Sequence, residues 1–132
     1  MSAAKPTQTQ RMPRTTLAAL RKSIAHWEEM ARTGWAKEQP ECKQCALCRL
    51  FNDRDRDIDS ACKGCPVYAQ TGLRFCVGTP FIEAYSIYEG YQWNSCARTR
   101  ATFPARFRAA AAKEADFLRS LLPEAAKGKA KA

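Results

Sequence analysis

The chain has 132 residues, a formal net charge of +9, seven cysteines, one histidine and 45% hydrophobic residues. That length holds one domain with an ordinary core, and no apolar stretch reaches the roughly 20 residues a membrane-spanning helix needs. Met1 to Met12 carry no apolar run of the secretory-leader kind, so a cytoplasmic setting without membrane contact is expected, where clustered cysteines are metal ligands rather than disulfides.

The charge is uneven. Residues 1–22 hold Lys5, Arg11, Arg14, Arg21 and Lys22 and no acid, residues 23–97 are slightly acidic, and residues 98–132 are again basic. Positive ends point to a polyanionic partner, DNA or RNA, or to an acidic protein; the plain alternative is a solubilising surface.

Residues 1–14 are polar, carry Pro6 and Pro13, show no period and read as a disordered tail. Thr15 or Thr16 suits an N-cap. Leu17, Leu20, Ile24, Trp27 and Ala31 recur at helical spacing, and Gly34 is placed to stop the chain in a left-handed turn, which predicts a helix over 16–33. His26 falls on the polar face, where a solvated side chain is the plainer reading than a zinc ligand. Residues 35–41 form a connector broken by Pro40. Residues 46–52 suit one helical turn with Leu47, Leu50 and Phe51 inward.

The alternating carboxylates of Asp53 to Asp59 resemble a calcium loop but place Ile58 where that loop needs glycine and Gly64 where it needs glutamate, so a solvated loop is expected. Pro66 suits the first position of a short helix closed at Thr71-Gly72. Thr79 and Pro80 suit the cap and first position of an aromatic helix through Phe81, Ile82, Tyr85 and Tyr88, ending near residue 89 before Gly90. Residues 92–100, with Trp93 and Cys96, read as irregular. The last helix is expected to begin near Phe103-Pro104, to carry an apolar stripe from Phe107 to Leu122 and to end at Pro123. The single domain is then 15–123, with a disordered basic tail over 124–132.

The densest chemistry lies between Cys42 and Pro80, which holds six of the seven cysteines. Cys45/Cys48 and Cys62/Cys65 are two C-x-x-C pairs. Each brings two thiolates to one side of a tight turn, and two such turns complete the tetrahedral site of a closed structural Zn2+ centre. Cys42 or Cys76 could replace one of the four or begin a second site. An iron–sulfur cluster is the alternative cofactor, supported by the run Cys42, Cys45, Cys48 and by Cys65-Pro66, although bacterial ferredoxins place Cys-Pro much closer to such a run. Buried thiols without metal are the third reading. Cys96 stands apart as a small apolar filler.

A second constellation is Arg98, Arg100, Phe103, Arg106, Phe107 and Arg108, in which arginines could hold phosphates and aromatics could stack on bases. An ordinary amphipathic helix is the plain alternative. Arg106 and Arg108 would fall in the first turns of the last helix, where the macrodipole disfavours positive charge. If that helix packs on the first, Arg21 and Lys22 could join them on one positive face. The pattern H-E-x-x-H of zinc hydrolases is missing. A catalytic zinc would need Cys76 to swing away and Glu83 or an aspartate of 53–59 to act as base.

The blocks HWEEM (26–30), CALC (45–48), CKGCPV (62–67), TG (71–72), CVGTPF (76–81) and KEADFLRSLLP (113–123) resemble a set of small cysteine-rich proteins encoded by phages, prophages and bacteria. The resemblance implies a compact metal-binding accessory protein whose recurrent cysteines correspond to Cys45, Cys48, Cys62, Cys65 and Cys76, with Cys42 and Cys96 as extras. It implies no reaction. The expected fold is mainly α, a small zinc-stapled domain of three to four helices with irregular zinc-knuckle loops. The expected function is a non-enzymatic zinc-binding module contacting nucleic acid or a nucleic-acid-associated protein in a phage accessory or regulatory role. The alternatives are a protein–protein adaptor or inhibitor and an iron–sulfur redox protein.

Overall fold

A computed structural model describes residues 12–34, 45–51, 62, 64–73, 76, 78–93 and 96–123. Cys42, the connector 35–41, the loop Asp53–Asp59 and the tails 1–11 and 124–132 lie outside the described residues. Five helices account for most of the described chain, and no strand occurs among the described residues: α1 Arg14–Thr33, α2 Ala46–Phe51, α3 Pro66–Thr71, α4 Pro80–Trp93 and α5 Ala97–Ser120.

The long helix α5 packs against both α1 and α4, and α2 lies against α1. The α1–α5 pair is antiparallel. Arg108 donates to the Thr33 carbonyl at 3.4 Å near one end, and Arg119 pairs with Glu28 further along. The α4–α5 pair is antiparallel too: Glu83 meets Lys113 at 3.3 Å, whereas Tyr91 stacks on Phe103 with ring centroids 4.4 Å apart.

The seam read on α1 is its buried face. Leu20, Ile24 and Trp27 are buried, Leu17 and Ala31 pack at its edges, and Ala19, Ser23 and Met30 widen it. The helix starts two residues earlier than expected. Pro13, at φ −56°, precedes it and its carbonyl accepts from Leu17 N–H at 2.9 Å. Thr16 is buried instead of capping. Gly34 stops the helix as expected, at φ 72°, with its N–H on the Met30 carbonyl at 2.8 Å.

Two other boundaries differ from the expectation. The aromatic helix runs through Gly90 to Trp93, because Tyr88 and Tyr91 of that stretch pack on Phe103, and Tyr88 also meets Phe107. The last helix begins at Ala97, with Pro104 inside it. A proline there removes one helical hydrogen bond at a cost of about 3 kcal/mol. Phe103 and Phe107 flank it on the buried face, stacked at 5.2 Å, and full burial of each contributes about 1.5–3 kcal/mol, enough to carry the helix through. On α2, Leu47 is buried and Phe51 half-buried as expected, but Leu50 faces solvent.

Candidate functional site

Two short segments share the same backbone features at their described residues. In the first, Cys62 has φ 68° and Gly64 φ 89°, and Cys65 N–H returns to the Cys62 carbonyl at 3.0 Å. In the second, Cys76 has φ 62° and Gly78 φ 84°, and Thr79 N–H returns to the Cys76 carbonyl at 3.3 Å. Each turn runs directly into a helix that opens on proline, Pro66 or Pro80. The strings CKGCP and CVGTP therefore build one device twice. A left-handed backbone costs a residue with a Cβ roughly 1–2 kcal/mol, and cysteine occupies that position in both. Such strain collects where a side chain must be aimed. Thr79 also works locally: its hydroxyl donates to the Cys76 carbonyl at 2.8 Å and accepts from Phe81 N–H at 3.2 Å, the capping role expected of it.

Cys62, Cys65 and Cys76 line one small pocket together with Cys48 of α2, closed by apolar side chains including Leu47 and Val67. Its free volume is about 10 Å³, room for one water-sized sphere. Cys62 N–H bonds the Phe51 carbonyl at 2.8 Å, which ties the first turn to the end of α2. A Cβ on Gly64 would stand 2.9 Å from the Phe51 ring, so that turn fits only without a side chain. Burial pushes the Cys65 thiol up to about 12, and the neighbouring Cys76 and Cys45 add to the shift.

Cys45 stands just before α2. Its sulfur lies 3.6 Å from the Ser23 hydroxyl of α1, and a hydrogen bond with the Cys48 thiol, against the opposing effect of burial, holds it down at about 6. It also borders a second pocket, of about 210 Å³, shared with Lys22, His26 and Arg49. The lone histidine thus stands near the cysteines, its ring edge-on to Trp27 at 6.4 Å.

The sequence reading missed Glu114. It is 3% exposed, within α5. Burial, and then the charge of Cys45, push its carboxyl up to about 8, while a hydrogen bond from Phe81 N–H works the other way. Its Oε1 atom has no hydrogen-bond partner. A signal was present: Phe107, Ala111, Glu114 and Leu118 follow helical spacing, which puts a carboxylate in an apolar stripe.

No disulfide joins the described cysteines, and among the described residues no three cysteine, histidine, aspartate or glutamate side chains stand close enough to hold an ion as they are arranged. The donor chemistry nevertheless fits one. Four cysteines line the small pocket, and sulfur donors suit a borderline-soft divalent ion. Cys96 lies outside this group. It is exposed instead of filling the core, and its sulfur contacts the Thr99 hydroxyl at 3.3 Å. Glu83, the candidate base, is instead paired with Lys113 on the exposed α4–α5 surface.

The arginines divide. Arg98, Arg100 and Arg106 are exposed on α5, and Arg98 and Arg100, not Arg106 and Arg108, occupy its first turn. Arg108 lies over Gly34 and holds the end of α1. Phe103 and Phe107 are buried and cannot stack on bases. Arg21 and Lys22 do not join the others. With α1 antiparallel to α5 and Thr33 level with Arg108, they lie roughly 30 Å along the axis from Arg100, at about 1.5 Å per residue. An aromatic not in the expected set stands beside the α5 start instead: Trp93, the last residue of α4, is 82% exposed. A groove of about 360 Å³ runs between α4 and α5 there, past Ser86, Gly90 and Tyr91 on one side and Thr99 and Arg106 on the other.

No known protein family, curated protein or solved structure matches the chain. No helix among the described residues is long and apolar enough to cross a membrane.

Proposed function

We propose that the chain is a zinc-held helical binding module that contacts nucleic acid through the corner where α4 meets α5. The observation that carries this reading is the exposed Trp93 indole at the same end of the molecule as Arg98, Arg100 and Arg106. Among the described residues neither Arg98 nor Arg106 is in an ion pair, so both guanidinium groups are available to phosphate. Stacking on an indole contributes about 1–3 kcal/mol per base and tolerates any base. The expected binding is therefore salt-sensitive and weakly sequence-selective.

Zinc has a structural part in this reading. Cys48, Cys62, Cys65 and Cys76 face the common pocket, with Cys45 beside Cys48. Bound there, the ion would fix the two turns and α2 to the helical bundle. The resemblance of the sequence to phage-type cysteine-rich proteins supports an accessory role for such a module.

The test is binding of labelled single-stranded DNA, duplex DNA and RNA at several salt concentrations, with Trp93 replaced by alanine and Arg98, Arg100 and Arg106 replaced together. Affinity should fall steeply with salt. Loss of the arginines should flatten the slope by about one unit for each phosphate contact removed, and Trp93→Ala should weaken single-strand binding roughly 5- to 100-fold. If the wild-type protein binds no nucleic acid at low salt, the reading is wrong, and the corner is then a dock for an acidic protein.

A further inference from the structure

Gly90 weakens α4 as a helix and opens its surface. Glycine inside a helix is less stable than alanine, and close approach of a neighbour or a ligand to the backbone is what a glycine permits. No protein neighbour makes that approach here, since a Cβ on Gly90 would meet nothing within 4 Å. The missing side chain leaves space instead. Gly90 lines the groove of about 360 Å³ between α4 and α5, a size within the roughly 300–1,000 Å³ of small-molecule pockets.

The lining suits a flat ring with polar edges. Ile87 and Phe103 are buried and give the groove an apolar floor. Phe103 is held in place by Tyr91, stacked on it at 4.4 Å. The Ser86 and Thr99 hydroxyls and the Arg106 guanidinium line the same groove, so donors and acceptors converge on an apolar surface. A nucleobase has the matching character, with apolar faces and hydrogen-bonding edges, and unpaired bases are recognised splayed out of the strand. The surroundings fit the rest of a strand. Arg98 and Arg100 flank Thr99 and are exposed, and the exposed Trp93 follows Gly90 by less than one turn of α4. An acidic peptide fits the groove less well, because Glu83 already contributes a carboxylate to its lining. A duplex fits less well too, because its bases are paired and stacked and must be extruded at a cost.

We infer that the α4–α5 groove receives one unstacked nucleobase, so that the ligand of this face is single-stranded nucleic acid and not duplex. The inference rests on the nucleic-acid reading above and narrows it. The arginines and Trp93 hold the strand, and the space left at Gly90 takes a base out of it.

The test uses the full chain and labelled probes: a short single strand as DNA and as RNA, the matching duplexes, and a DNA strand of the same length made of abasic residues. Gly90→Leu fills the groove with a good helix former, and circular dichroism checks its helicity. The wild type should bind the base-bearing strands more tightly than the abasic strand or the duplexes. Gly90→Leu should lose roughly 5- to 100-fold on a base-bearing strand and bind the abasic strand and the duplexes as the wild type does. If Gly90→Leu loses helicity, Ser86→Leu fills the same groove from an exposed position of α4 and should show the same loss. Unchanged single-strand affinity in a folded, filled variant would overturn the inference and leave the nucleic-acid reading standing. Equal losses on all probes would overturn it as well, since the groove would then not be reading bases. So would a polyglutamate peptide that binds the wild type but not the filled variant while strand affinity holds, which gives the groove to an acidic protein. Wild-type protein that binds none of the probes removes the nucleic-acid reading and this inference together.

Discussion

Gly34 and Gly90 both sit at or in helices, yet the same substitution should act on them in opposite directions. Gly34 has φ 72°, and a Cβ there would stand 3.2 Å from the Pro104 carbonyl oxygen and from the Arg108 guanidinium. Gly34→Ala should cost about 1–2 kcal/mol from the backbone alone, seen as a lower urea midpoint with an unchanged slope. Gly90 is inside α4, and a Cβ there meets nothing within 4 Å. Gly90→Ala should stabilise by about 1 kcal/mol, read as a higher melting temperature. A fall in that temperature would mean that α4 is not helical at this point. Gly34 was legible in the sequence because it follows the last seam residue of α1, where a left-handed stop is needed. Gly90 was misread as a stop for the same reason of residue type. What decided it, the packing of Tyr91 on Phe103, joins residues far apart in the chain.

At the scale of elements, periodicity made α1 legible, Pro66 and Thr71-Gly72 marked the ends of the short α3, and Pro80 after Thr79 marked the start of α4. The start of α5 was hidden by Pro104, which by local chemistry belongs near a helix N-terminus. Burial of Phe103 and Phe107 overrides that preference, and it can be recognised only once α4 is in place. Pro104→Ala should therefore stabilise α5, by about 1–3 kcal/mol, since the exposed proline removes a hydrogen bond that alanine would restore. Thermal unfolding of the variant tests this, and destabilisation would show that α5 depends on the ring at this point. The Cys62–Cys65 turn was legible as C-x-x-C spacing. Its repetition at Cys76 was not, because Thr79 takes the place that Cys65 holds in the first turn.

For the whole molecule, one buried core runs from the α1–α4–α5 bundle, around Phe107, Tyr88 and Leu20, to Leu47, Cys62, Cys65 and Val67 of the cysteine segments. The α2 and α3 segments meet chiefly through the cysteine pocket and its apolar lining. Removing metal with a chelator should accordingly speed amide exchange over residues 45–51 and 62–73 while residues 103–118 stay protected. Collapse of all helical signal at once would instead make the bundle dependent on the ion. The charge distribution was read correctly from the sequence as basic at both ends. The single positive face expected from it was not realised, because the antiparallel α1–α5 pairing sends Arg21 and Arg100 to opposite poles.

That separation sets a length scale for any strand that touches both poles. A span of roughly 30 Å is covered by about nine nucleotides at 3.4 Å each. Oligonucleotides shorter than this would reach one pole at a time, and each added phosphate would gain little once that pole is filled. Past the threshold the second pole engages within the same complex, so affinity plotted against oligonucleotide length should show a step where a single basic patch would show a plateau. Under the proposed function, the footprint would follow from the direction in which one helix runs past another.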